Sequence, residues 1–285
     1  MTLLALIRNE FREARFQLVI SCVILIGFAW LFVWLVSTIK PGLWAAVIEF
    51  APDFLRKLVV VSPAHLLTTA GQISVLYLHI VPLLVCMGWS LGRGSQIVAG
   101  RIASGHMEML VPSPLLRIEL MLAPAIVILV GAVLMGLSLW FGTWLGIKTI
   151  RLSDPPDPRI YIPGAVNITA LTICLAGITS LISSCDQDRW RPVWGAMAVT
   201  ILAAIVKLVG QLLPGGEWIA NFSFLTAYEP QKLILEPHAS WTPPFLPGLS
   251  IELRIWFNIV LVAVGMITYA ASCVIFIHRD LPVPR

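Results

Sequence analysis

The chain has 285 residues, 58% of them hydrophobic and 12% charged, about half the charged share of an ordinary soluble domain. So apolar a chain cannot hide its surface in one soluble core, and several uncharged runs exceed the ~20 residues that cross ~30 Å of hydrocarbon at ~1.5 Å each. The formal charge of +4 falls on arginines near the ends of these runs, with no basic cluster or aromatic-interleaved basic strip, which argues against nucleic acid as a partner.

The expected fold is an all-α, multi-pass membrane protein whose residues 1–285 form a single transmembrane domain. Residues 2–16 place Leu4, Ile7, Phe11 and Ala14 three or four apart with charges on the other faces, the spacing of an amphipathic elbow helix on the membrane surface. Residues 18–38 form the first uncharged span, stopped by Lys40-Pro41-Gly42. Residues 42–71 carry Glu49, Asp53, Arg56 and Lys57, each costing roughly 2.5–3.5 kcal/mol at a bilayer centre, so this segment is expected outside the hydrocarbon.

The second span is expected over residues 72–92, kinked at Pro82. It contains His79, which, lacking a second ligand in its helix, reads as a packing residue. A polar stretch from Arg93 to Arg117 follows, then a third span over 120–147 whose Gly142 and Gly146 have the spacing of close helix approach. Residues 148–163, with Asp154-Pro155-Pro156-Asp157-Pro158, read as a stiff exposed loop. The fourth and fifth spans are expected at 165–184 and 193–213, joined by a tight polar turn. Lys207 near the end of the fifth is expected to snorkel or pair. Residues 214–254 read as a second exposed segment with interfacial aromatics, before a sixth span over 255–277. The sequon at Asn167 falls inside a span. The five cysteines lie within or at the ends of apolar runs, with no C-x-x-C pair, and read as small apolar fillers.

Six spans put both termini and the even-numbered connections on one side. Ten basic residues fall there (Arg8, Arg12, Arg15, Arg93, Arg101, Arg117, Arg189, Arg191, Arg279 and Arg285) and eight on the other, with Lys207 in the membrane. The ten occupy short connections and tails, which the positive-inside rule weighs most, so both termini and the stretch from Arg93 to Arg117 are expected to be cytoplasmic.

Several chemistries have no motif. The sequence has no Gly-Lys dipeptide and hence no phosphate loop of the Walker type, no H-E-x-x-H metal spacing and no G-x-S-x-G nucleophile turn. No Asp or Glu lies inside the six expected spans, which disfavours a proton-coupled carrier. Catalysis is not expected on this chain, nor a cofactor or metal.

Residues Gly105-His106-Met107-Glu108-Met109-Leu110-Val111-Pro112-Ser113-Pro114-Leu115-Leu116-Arg117 resemble the G-T-L-E-L-L-L-x-x-P-V-S-R signature of type-2 exporter-class ABC transporter permeases. The elbow, six spans, the element Phe224 to Pro230 and the Arg279-Asp280-Leu281 tail are similar to that family's plan. Three positions depart from it: Arg101 where the family usually has a glutamate, His106 for threonine and Leu116 for serine. Among subfamilies the arrangement is similar to the permease of the copper-site maturation system for nitrous oxide reductase. That similarity is shared with permeases of unknown cargo, and copper is not carried over.

The resemblance implies a bacterial inner-membrane permease subunit, paired with itself or with a related permease in the lipid bilayer and driven by a separate ABC ATP-binding subunit that holds ATP and Mg. It implies a cytoplasmic coupling helix between the second and third spans over Gly100 to Leu110, with partner contacts at Arg101, Ile102, Gly105, His106, Met107, Glu108, Met109, Leu110, Pro114 and Arg117. In such an element Ile102 and the methionines would fill a groove on the partner while the charged residues set orientation. A non-transporting membrane scaffold shares every feature except the need for an ATPase. A membrane enzyme acting on lipid would need a polar cluster, for which His65, Glu49 and Asp53 are the nearest residues.

Overall fold

The computed structural model describes residues 3–38, 65, 67–105, 116–213, 215–236, 239–241 and 251–279. Among them, six helical stretches are long and apolar enough to cross a membrane: Leu3–Thr38, Thr69–Ala103, Arg117–Thr149, Pro158–Cys185, Trp190–Leu212 and Leu253–His278. Each contains one of the six expected spans almost entirely. Their outward faces carry large exposed apolar side chains, such as Trp194, Ile201, Leu202 and Ile205 on the fifth stretch, as expected where lipid is the solvent.

Helix α1 (Leu3–Thr38) runs unbroken for 36 residues, about 54 Å at ~1.5 Å per residue, and so exceeds the hydrocarbon thickness. The elbow expected over residues 2–16 is therefore not a separate helix. No Gly or Pro occurs before Gly27 to break it, and Leu6 on its inner face is buried with Ile97, Val98, Leu120 and Met121 of the second and third spans. Packing against the bundle holds those first turns in line with the span.

The second span is composite. Helix α2 (Thr69–Ser74) passes into a 3₁₀ turn, Val75–Leu78, and helix α3 (Ile80–Ser95) restarts after His79, whose backbone is extended (φ −65°, ψ 145°). The break thus lies at His79 and not at Pro82. His79 Nδ1 accepts the Val81 N–H at 3.3 Å as an N-cap, and its ring packs on Phe28 and Phe32, with centroids 4.9 and 5.8 Å away. Pro82 is the third residue of α3, where a missing N–H removes no intrahelical bond.

Helix α4 (Arg117–Thr149) approaches α1 closely through the expected glycine pair. A Cβ on Gly142 would lie 2.6 Å from the Ile26 carbonyl oxygen, and one on Gly146 2.8 Å from Val33 Cβ. After a 3₁₀ turn, Pro158–Tyr161, helix α5 (Ile162–Cys185) forms the centre of the bundle, touching α3, α4, helix α6 (Trp190–Leu212) and the last helix. Its buried face is lined largely by Gly, Ala, Ser and Thr, which lets neighbouring backbones come near.

Beyond α6 the chain does not remain a wholly exposed segment. Helix α7 (Glu217–Ala220), a 3₁₀ turn (Phe224–Ala227) and helix α8 (Pro230–Leu235) fold back on the bundle, burying Ala227, Tyr228, Leu233 and Ile234. Polar residues fix this return. Lys207 Nζ donates to the carbonyls of Leu225 and Tyr228 at 3.0 and 3.1 Å and pairs with Glu229 at 3.2 Å. All three ammonium protons thus have acceptors, and Lys207 is paired rather than snorkelling. Asn167 is buried and donates to the Ala227 carbonyl (3.1 Å) and to Asn258 (2.9 Å), so its sequon is not presented to solvent. Trp218 and Phe222 stay exposed and pack edge to face, as membrane-interface anchors do. A two-residue bridge pairs β1 (Ser240–Trp241) with β2 (Ile251–Glu252), ahead of helix α9 (Leu253–His278).

Candidate functional site: the anchored ends of the polar stretch

The polar stretch from Arg93 to Arg117 is described at both ends. Of the expected partner contacts, Arg101, Ile102, Gly105 and Arg117 are described, whereas His106, Met107, Glu108, Met109, Leu110 and Pro114 lie outside the described residues.

At the first end, α3 continues through a π-helical turn, Gln96–Gly100, into a last α-turn, Arg101–Ala103. A π-turn displaces the ladder of backbone bonds and leaves N–H groups short of partners. Ser183 of α5 satisfies them: its Oγ accepts from Ala99 N at 3.0 Å and Val98 N at 3.4 Å, and donates to the Ser95 carbonyl at 3.0 Å. Ser104 N and Gly105 N then donate to the carbonyls of Gly100 and Ile102. Gly105 takes φ = 71°, the left-handed conformation that ends helices and that a β-carbon strains. Residues 100–105 therefore finish the second span, and the helix expected over Gly100 to Leu110 does not begin there.

Arg101, the base standing where the resemblance leads one to expect an acid, has its counter-charge on α1. Its Nη2 forms an ion pair with Glu10, both side chains being only 11–12% exposed. Its Nη1 donates to the Leu120 carbonyl at 3.0 Å. That carbonyl is available because Pro124, four residues on, has no N–H to return to it. One guanidinium thereby ties the end of the second span to the first and third.

At the second end, Glu119 accepts the Leu116 N–H at 3.0 Å, satisfying a donor at the start of α4. Arg117 reaches across to α9, where Nη1 donates to the carbonyls of Ile277 and Arg279, each at 3.0 Å. Arg279 Nη1 in turn donates to the Ser184 and Asp186 carbonyls at 2.7 and 3.0 Å. These carbonyls close the C-termini of α9 and α5, where cations are favoured. Asp186 accepts backbone N–H bonds from Gln187 (2.7 Å) and Asp188 (3.1 Å). Burial pulls its carboxyl upward, but these N–H groups with Arg191 and Arg279 outweigh it and hold the pKa below the usual aspartate value.

Arg101 and Arg117 thus act at opposite ends of the stretch and on different spans, while Glu10, Pro124 and Ser183 complete the anchorage. Of these three only Pro124 leaves a local trace in the sequence, as a proline within an uncharged run. For the alternative lipid-acting cluster, Glu49 and Asp53 lie outside the described residues, and the His65 carbonyl accepts from Thr68. Comparison with known proteins finds no matching family model and no matching curated protein.

Proposed function

We propose that this chain is the membrane-spanning permease subunit of an ATP-driven transporter of the type-2 exporter ABC class, coupling hydrolysis by a separate ATP-binding subunit to export or membrane rearrangement. The observation that carries the reading is the double anchorage of the polar stretch. Its first end is bound through Arg101 to α1 and α4, and its second through Arg117 and Arg279 to α9 and α5. A push on residues 106–115 would be passed to four spans through short polar links, which is what a subunit without its own nucleotide site needs from an external motor.

In this reading the subunit pairs with itself or with a related permease in the bacterial inner membrane, both termini cytoplasmic, and ATP and Mg reside on the partner. The experiment is co-expression with the candidate ATP-binding subunit. The complex should copurify and hydrolyse ATP, the isolated chain should hydrolyse none, and joint replacement of Met107 and Glu108 by alanine should release the partner. Unchanged copurification of that variant would count against the assignment, and failure of any ATP-binding subunit to copurify would favour a non-transporting scaffold.

A further inference from the structure

A cavity of about 260 Å³ opens between α1, α3 and α4, lined by Glu10, Glu13, Arg93, Gln96, Arg101 and Pro124 among others. At ~30 Å³ per water it has room for about nine waters, enough for the handful of heavy atoms in a phosphoethanolamine group. Its charges are unevenly satisfied. Glu10 and Arg101 neutralise each other. Arg93 is buried at 8% exposure, yet of its five N–H donors one bonds Gln96 at 3.1 Å, and its buried Nε has no partner among the described residues. The guanidinium lies over the Trp89 ring, 5.5 Å from the centroid, and no described carboxylate comes within 4.0 Å of it. Glu13 is exposed and receives a neutral amide bond from Asn9 at 2.9 Å.

Across the cavity Arg93 thus faces the carboxylates of Glu10 and Glu13, close enough to feel both charges but with neither in direct contact. A simple anion would suit Arg93 but face Glu13, and a simple cation would do the reverse. A zwitterion carrying phosphate and a primary ammonium on a short spacer suits both. On the helix, Glu13 is followed on one face by Phe16, Ile20 and Ile24, all exposed and apolar, a track for hydrocarbon leading away from the charges. We propose that this cavity binds the headgroup of an amine-bearing zwitterionic phospholipid, Arg93 taking the phosphate and Glu13 the ammonium. The site does not depend on the ATPase-coupled role.

The full chain, purified in detergent and stripped of lipid, is titrated with phosphatidylethanolamine, phosphatidylcholine and phosphatidylglycerol of matched acyl chains, and with free O-phosphoethanolamine, reading binding by native mass spectrometry and thermal shift. Phosphatidylethanolamine is expected to bind about tenfold more tightly than the other lipids, because choline has no N–H for Glu13 and glycerol no cation. Glu13→Gln, at an exposed position, should abolish that preference while leaving the fold intact. Arg93→Gln should weaken all three lipids alike; if it does not fold, the Glu13→Gln comparison decides alone. Equal binding of the three lipids, or a preference that survives Glu13→Gln, would overturn the proposal. Free O-phosphoethanolamine binding as tightly as the lipid would place the same chemistry in a soluble solute and overturn the lipid assignment.

Discussion

The ion pair between Glu10 and Arg101 offers a quantitative test of how the second span is held. Both side chains are nearly out of solvent, so removing one partner leaves the other as a buried, uncompensated charge, at a cost of about 3–5 kcal/mol. The two single substitutions should not be equal. Arg101→Gln also strips the Leu120 carbonyl of the donor that Pro124 cannot supply, adding about 1–3 kcal/mol. The double variant Glu10→Gln/Arg101→Gln leaves no charge behind, so it should be about 2–3 kcal/mol less destabilised than the sum of the singles. Equilibrium unfolding in mixed micelles, titrated with SDS and followed by tryptophan fluorescence, reads all four proteins on one scale. Singles that add to within about 0.5 kcal/mol, or an Arg101→Gln variant no worse than Glu10→Gln, would refute the assigned geometry.

Other consequences can be measured alongside. Lys207→Met should destabilise by about 3–5 kcal/mol by leaving Glu229 unpaired in the folded-back segment, and adding Glu229→Leu should recover most of that loss, both read by the same titration. Ser183→Ala removes the shared acceptor of the π-turn and should cost about 1–3 kcal/mol, with faster amide exchange at Val98 and Ala99. The Asp186 carboxyl has a lowered pKa in the folded chain, so its stabilisation is fully present above the ordinary aspartate value of about 3.9 and is lost as pH falls through the lower folded value. The melting temperatures of the parent and of Asp186→Asn should accordingly differ at neutral pH and converge on acidification.

Much of the architecture was legible because it depends on quantities a sequence carries directly. Uncharged runs of sufficient length marked all six spans and Gly142 and Gly146 marked a close helix contact, whereas Lys207 left snorkelling and pairing equally open until Glu229 was seen beside it. The differences arise where the outcome depends on contacts distant in sequence. The first turns of α1 have an amphipathic pattern suited to a membrane surface, but the face that packs against Ile97 and Met121 is rotated from the expected one: Leu6 is buried there with Ile7 beside it, while Leu4 is exposed. The π-turn is a register of backbone bonds, invisible in residue types until Ser183, some 85 positions away, is seen to support it. Arg101 looked like an isolated departure from a family signature; its meaning lies in Glu10, 91 residues earlier. The prolines and tryptophans of residues 214–254 signal irregular backbone at an interface, but not that Tyr228 turns inward to donate to the Tyr77 carbonyl.

Under the proposed function, the stretch between Arg101 and Arg117 receives force from an ATP-hydrolysing partner. A photo-reactive residue placed at Met107 in the full chain, activated in intact membranes from cells co-expressing the candidate subunit, tests it most directly. The expected result is a cross-link to the nucleotide-binding subunit whose yield changes when ATP is trapped. Cross-links confined to lipid or to other membrane subunits, indifferent to nucleotide, would contradict it.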